Sequence, residues 1–134
     1  MKAQEITDHV CKVMGDYDFI RINYPNGDMI GHTGNMKAVI DSLEAVDACM
    51  KRLAEAVSEK EGTLVVLADH GNADKLKNKD GSAHTAHTVN MVPVIVLDKN
   101  VKVVENGKLA DIAPSILKLM DIDKPNEMSG VSII

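Results

Sequence analysis

The stretch that most constrains this chain lies at residues 63–74, TLVVLADHGNAD. Five consecutive apolar residues, Leu64, Val65, Val66, Leu67 and Ala68, run into an acid, an imidazole and a glycine. An all-apolar run of this length suits a parallel strand covered by helices on both faces, and open α/β sheets place their sites at the carboxyl ends of such strands. Asp69 and His70 stand at that end. They are the oxygen and nitrogen donors that Zn²⁺ or Mn²⁺ accepts, but neighbours on a straight strand point to opposite faces. They converge only where the backbone leaves the strand, which Gly71 and Asn72 permit. A turn cap and a partly buried loop histidine would satisfy the same dipeptide without a metal.

The remaining periodicities place this strand among helices. Ile6, Val10, Val13 and Met14 recur at helical spacing and predict a short amphipathic helix closed by Gly15. Residues 18–24, DFIRINY, read as a strand ending at the turn cluster Pro25-Asn26-Gly27. From Met36 an i, i+3, i+4, i+7 stripe (Val39, Ile40, Leu43, Val46, Met50, Leu53, Val57) predicts the longest helix, closed by Gly62, with Asp47 and Lys51 spaced as an ion pair on its charged face. After a polar loop at 75–82, residues 91–97, MVPVIVL, give a third buried-strand candidate; Pro93 is tolerable near a strand's start. A hairpin over 101–109 with Asn106-Gly107 as its turn and a helix capped by Asp111 complete the chain, the apolar tail residues Val131, Ile133 and Ile134 packing back. The expectation is an α/β fold with a mainly parallel sheet flanked by helices, in a single domain spanning residues 1–134.

Composition enters as a set of exclusions. One domain fits in 134 residues, and a second full one does not. A formal net charge of −5 and an aromatic content of 2% argue against nucleic acid or an anionic membrane as a partner, since one needs a basic surface and stacking platforms and the other a basic face. Cys11 and Cys49 have no framework spacing and read as reduced packing residues, and no stretch looks like a secretion signal or membrane span, which together predict a cytoplasmic location.

Two more clusters carry donors. In NGDMIGHTG, Asp28 and His32 stand four apart, which on a helical turn puts both on one side. A helix cap and a surface histidine would be the bland alternative. In HTAHT, just before the third strand, His84 and His87 are three apart in a loop. Four of the chain's five histidines thus sit at or next to strand ends, two with acids at fixed spacing. In a parallel sheet the carboxyl ends open on one edge, so Asp28, His32, Asp69 and His70 should meet, with His84 or His87 reaching them from its loop.

DMIGHTG, ADHGNAD, HTAHTVNMVP and KLADIAPSILKLM, in this order, closely resemble the C-terminal part of cofactor-independent phosphoglycerate mutase, a two-metal family of the alkaline phosphatase superfamily, over residues 18–134. The resemblance implies a partial alkaline-phosphatase-like domain. It implies one metal, usually Mn²⁺ with Zn²⁺, Mg²⁺ or Co²⁺ as alternatives, on Asp28, His32 and His87, with His84 the alternative ligand, and a second on Asp69 and His70. It further implies a glycolytic isomerase that interconverts 3-phosphoglycerate and 2-phosphoglycerate through a phosphoserine.

The resemblance also marks what is missing. Family members are several times longer, and the nucleophilic serine, an N-terminal aspartate ligand and the substrate-binding domain have no counterpart here; Ser42, Ser58, Ser82, Ser115, Ser129 and Ser132 lie in other contexts. The chain therefore reads as a C-terminal fragment with an incomplete second site and weak or absent activity alone. It is expected to self-associate through an exposed sheet edge. The competing readings are another phosphoryl-transfer enzyme of the superfamily, such as a phosphopentomutase or phosphatase, and a non-catalytic metal-binding module or subunit.

Overall fold

The apolar stripe that begins at Met36 builds the longest element of the computed structural model, which describes residues 1–134. Helix α3 runs Met36–Glu59; at its start the Asn35 side chain accepts from the Ala38 N–H at 3.1 Å, satisfying one of the donors a helix start leaves open. Before it come α1 (Ala3–Val13), a 3₁₀ turn at Met14–Asp16 and the short α2 (Asn26–Gly31). After it come β1 (Leu64–Leu67), β2 (Val94–Leu97), a 3₁₀ turn at Leu109–Asp111 and α4 (Ile112–Leu119). The fold is α/β. No helix is long and apolar enough to cross a membrane.

The chain divides into two compact units, one of Met1–Gly62 with His70–Val92, the other of Thr63–Asp69 with Pro93–Ile134. In the first unit, α1 and α2 both pack on α3, and the core gathers Ala3, Thr7 and Val10 with Val39, Cys49 and Leu53. Arg52 reaches Asp8 at 2.6 Å across the α1–α3 contact. The predicted stripe is buried only in part, because Met36, Ile40 and Leu43 near its N-terminal end stay exposed. Its ion pairs are Lys37–Asp41 and Lys51–Glu55, whereas the predicted Asp47–Lys51 pair does not form. Gly62 does not supply the left-handed residue that closes α3. Glu61 does, with φ 53°, while the Gly62 N–H donates to Val57 O at 2.9 Å in a Schellman closure.

In the second unit β1 pairs with β2 in antiparallel sense, Leu64 opposite Leu97 and Leu67 opposite Val94. This corrects the expectation of a mainly parallel sheet. An apolar run marks a strand but neither its cover nor its direction: Leu67, Ile95 and Leu97 stay exposed, so the two strands are not buried on both faces, and direction follows from the connection, where residues 68–93 carry no crossover helix. The strand expected at residues 18–24 and the hairpin expected at 101–109 do not form. Instead the Glu105 N–H donates to Ile133 O at 2.7 Å, and Ile133 packs into the core while Val131 stays exposed. Asp111 organises this end of the chain. It is buried, and its carboxylate accepts from the Lys108 and Val131 N–H groups at 2.9 Å each.

Candidate metal centre

The Pro25-Asn26-Gly27 cluster starts a helix rather than a turn, with the Met29 N–H donating to Pro25 O at 2.9 Å. That single short helix does what the four-residue spacing demanded: His32 caps α2 one turn after Asp28, and its Nε2 lies 3.1 Å from Asp28 Oδ1. The chain then has to leave α2 at once and begin α3. Gly34 allows this, with φ +64° and a position where a Cβ would come within 2.6 Å of the Ala83 Cβ.

His87 arrives at the same carboxylate from a loop far along the sequence. Its Nε2 also lies 3.1 Å from Asp28 Oδ1, and the donor atoms of Asp28, His32 and His87 all fall within 4.8 Å of one another. The loop is held by a clip. Gly71 and Thr88 form an antiparallel bridge with the Thr88 N–H on Gly71 O at 2.8 Å, and the Thr88 hydroxyl donates to Asp74 at 2.9 Å. Asn90 donates to the same carboxylate, and that amide, opposed by burial and helped by Thr88, holds the Asp74 carboxyl below the usual range. A Cβ at position 71 would sit 2.1 Å from Thr88 Oγ1, so only glycine fits the bridge. The clip also stacks the His70 ring on His87, centroids 3.7 Å apart and planes 17° from parallel.

The hydrogen bonding states what the cluster is fit to hold. His32 Nδ1 lies 2.6 Å from Thr85 O. The Thr85 carbonyl and the Asp28 carboxylate both only accept, so the ring is satisfied on both sides either with a hydrogen on each nitrogen or with the hydrogen on Nδ1 and a cation on Nε2. Two donors bound at about 2.1 Å to one ion stand roughly 3.0–3.4 Å apart for octahedral to tetrahedral angles. One carboxylate and two imidazoles form a donor set suited to borderline divalent ions.

Asp28 is held from behind. Asn72 Nδ2 donates to Asp28 Oδ1 at 2.7 Å and to the Asp28 carbonyl at 3.3 Å. That amide is the main reason the Asp28 carboxyl lies below the usual carboxylate range; burial opposes it, and the imidazoles of His32, His87 and His70 add to it.

Of the residues singled out in the sequence, Asp28, His32 and His87 are brought together and His70 lies against His87. His84 lies outside that group. The stretch expected to be a plain solvent loop is a small hairpin that carries it, with Lys77 bridged to Ala83, Leu76 buried, and the His84 N–H on Leu76 O at 3.0 Å. Asp69 falls in the second unit, exposed just after β1. Ser115 is buried in a structural role, its hydroxyl donating to Asp111 O at 2.7 Å. The sequence reading missed Asn72, seen there only as a turn residue. No local pattern signals an amide that reaches a carboxylate 44 residues away.

A family model described as the Metalloenzyme superfamily matches residues 1–124. A 2,3-bisphosphoglycerate-independent phosphoglycerate mutase of Flavobacterium johnsoniae is 46% identical over 136 residues, covering 100% of this chain and 27% of that protein. The one of Escherichia coli K12 is 49% identical over 134 residues, covering 97% and 26%. A solved structure of Leishmania mexicana phosphoglycerate mutase at low cobalt concentration superposes with a TM-score of 0.87 at 32% identity, covering 100% of this chain and 28% of that one. The chain therefore spans about a quarter of the length of the relatives it matches.

Proposed function

The chain belongs to the Metalloenzyme superfamily, and from that premise we propose that Asp28, His32 and His87 hold a divalent metal ion in the C-terminal segment of a cofactor-independent phosphoglycerate mutase. Manganese is the first choice, with zinc, magnesium or cobalt as alternatives. The observation that carries this reading is the pair of imidazole nitrogens set 3.1 Å from one carboxylate oxygen, with the third donor-to-donor distance inside 4.8 Å. Asp69 and His70 are the residues proposed for a second ion, on the strength of the sequence resemblance.

When bound, the metal supplies fixed positive charge for the oxygens of a transferring phosphoryl group. The chain's own residues perform the preparation. Asp28 contributes the charged oxygen, Thr85 selects the tautomer that turns the His32 lone pair inward, and the Asp74–Thr88 clip delivers His87. The whole reaction in this reading is the cytoplasmic interconversion of 3-phosphoglycerate and 2-phosphoglycerate. The names of the relatives favour this over a phosphopentomutase or a phosphatase.

Calorimetric titration with Mn²⁺ tests the site, and Asp28→Ala should abolish the binding; an Asp28→Ala variant that binds as the parent does would remove the reading. Turnover is tested by adding the rest of a relative's sequence as a second polypeptide. Rescue supports the mutase segment, whereas Mn²⁺ binding without rescue at any ratio leaves a metal-binding module. The unpaired strand edges make self-association the expected state of this chain alone, and a monodisperse monomer in concentrated solution would count against it.

A further inference from the structure

Two glycine- and asparagine-bearing motifs meet behind the metal centre in a way that neither motif explains separately. Asn72 is 4% exposed and lies next to α2. Its side-chain nitrogen donates to both the carboxylate and the carbonyl of Asp28, while its side-chain oxygen is buried with no hydrogen-bond partner. The orientation follows from chemistry: both Asp28 atoms can only accept, so the NH₂ must face them and the oxygen must face away. What it faces is Gly31. A Cβ on residue 31 would stand 2.3 Å from Asn72 Oδ1 and 2.8 Å from its Cγ, an overlap that forces the buried Asn72 side chain to shift. Gly31 is an ordinary helical residue and is not among the positive-φ glycines. Backbone freedom does not account for it, and room for Asn72 does.

We propose that Asn72, seated through the bare face of Gly31, is a positioning residue for the metal site: it fixes the Asp28 carboxylate so that one oxygen faces both His32 and His87. The proposal rests on the reading of that site as a metal centre. Outer partners that orient a ligating carboxylate typically change metal affinity by about 10- to 100-fold when removed, which sets the size of effect to look for.

The test is a double-variant cycle on the full 134-residue chain, with two readouts: the Mn²⁺ dissociation constant by calorimetry, backed by the Mn²⁺ paramagnetic resonance line shape, and the melting temperature of the metal-free protein. Asn72→Ala should weaken Mn²⁺ about 10- to 100-fold, and Gly31→Ala, which leaves Asn72 chemically intact but displaces it, should weaken it comparably. The pair should be non-additive, the double variant binding within about threefold of the weaker single one. Should either single variant unfold, the other still reports. Parent-like affinity in folded Asn72→Ala, or losses that simply multiply, would overturn the positioning role while leaving the metal site standing. No Mn²⁺ binding by the parent chain would overturn both, and a non-additive melting cycle in that case would assign the Asn72–Gly31 contact to stability alone.

Discussion

The Thr85 carbonyl lies 2.6 Å from His32 Nδ1, across 53 residues of sequence. With a cation on Nε2 it holds the single ring hydrogen on Nδ1, because an accepting oxygen requires a donor opposite it. In the Zn²⁺-loaded protein, with the ion on Nε2, His32 should therefore be the Nδ1–H tautomer. Two-bond nitrogen–proton correlation spectra distinguish the two forms directly. An Nε2–H His32 would contradict the assignment.

His87 and His84 stand three apart, yet only His87 is placed against Asp28. Removing each imidazole separates them: His87→Ala should weaken Mn²⁺ by more than about 100-fold, beyond the range of an outer partner. His84→Ala should leave the titration curve close to that of the parent. Equal losses from both would mean that the loop register differs from the one described.

Asp111 gives the chain an acid-sensitive joint. The Val131 N–H, and after it the Lys108 N–H, hold its carboxyl below the usual range. With the folded-state pKa depressed, the unfolded chain takes up the proton first as pH falls. The stabilisation is complete above the ordinary carboxylate pKa and disappears as pH drops through the lower folded value. Urea midpoints measured from neutral pH down to about pH 2 should fall, and Asp111→Asn should start lower at neutral pH and fall less steeply. Parallel curves would exclude this residue as a contributor.

Thr7 is fully buried and donates its hydroxyl hydrogen to Ala3 O at 2.8 Å. Tyr24 must then be the donor in the 2.6 Å contact between the two hydroxyls. Thr7→Val keeps the volume but strands the Tyr24 hydroxyl, so stability should fall by about 1 kcal/mol in denaturant titration. A neutral result would show that water replaces the lost acceptor.

Asp121 closes α4 with φ 54°, a left-handed position where a side chain is strained. The Ile122 N–H donates to Leu117 O at 2.9 Å in the same closure seen after α3. Asp121→Gly should raise stability by about 0.5–1 kcal/mol, read as a higher melting temperature. A drop would mean that the carboxylate contributes more than the strain costs.

Local information accounts for the parts of the fold that depend on near neighbours. Helical spacing marked α1 and α3, a run of β-branched and aliphatic residues marked β1 and β2, and a separation of four put Asp28 and His32 on one side of a turn. The expected parallel sheet failed at the step where local pattern has no content, since an apolar strand carries no record of its partner's direction. Residues 18–24 show the same limit, because their composition suits a strand but only a neighbouring strand can make a ladder.

The sequence by itself determined which atoms are available: a carboxylate and imidazoles in three short motifs, a glycine at 31 and an asparagine at 72. The tertiary structure alone decided which of them meet. Antiparallel pairing of Gly71 with Thr88 set His70 beside His87, the hairpin drew His84 away, and Asn72 passed over the bare Gly31 to hold Asp28. These contacts join residues many positions apart, and their geometry is fixed by how whole segments pack rather than by the preference of any residue for its own backbone.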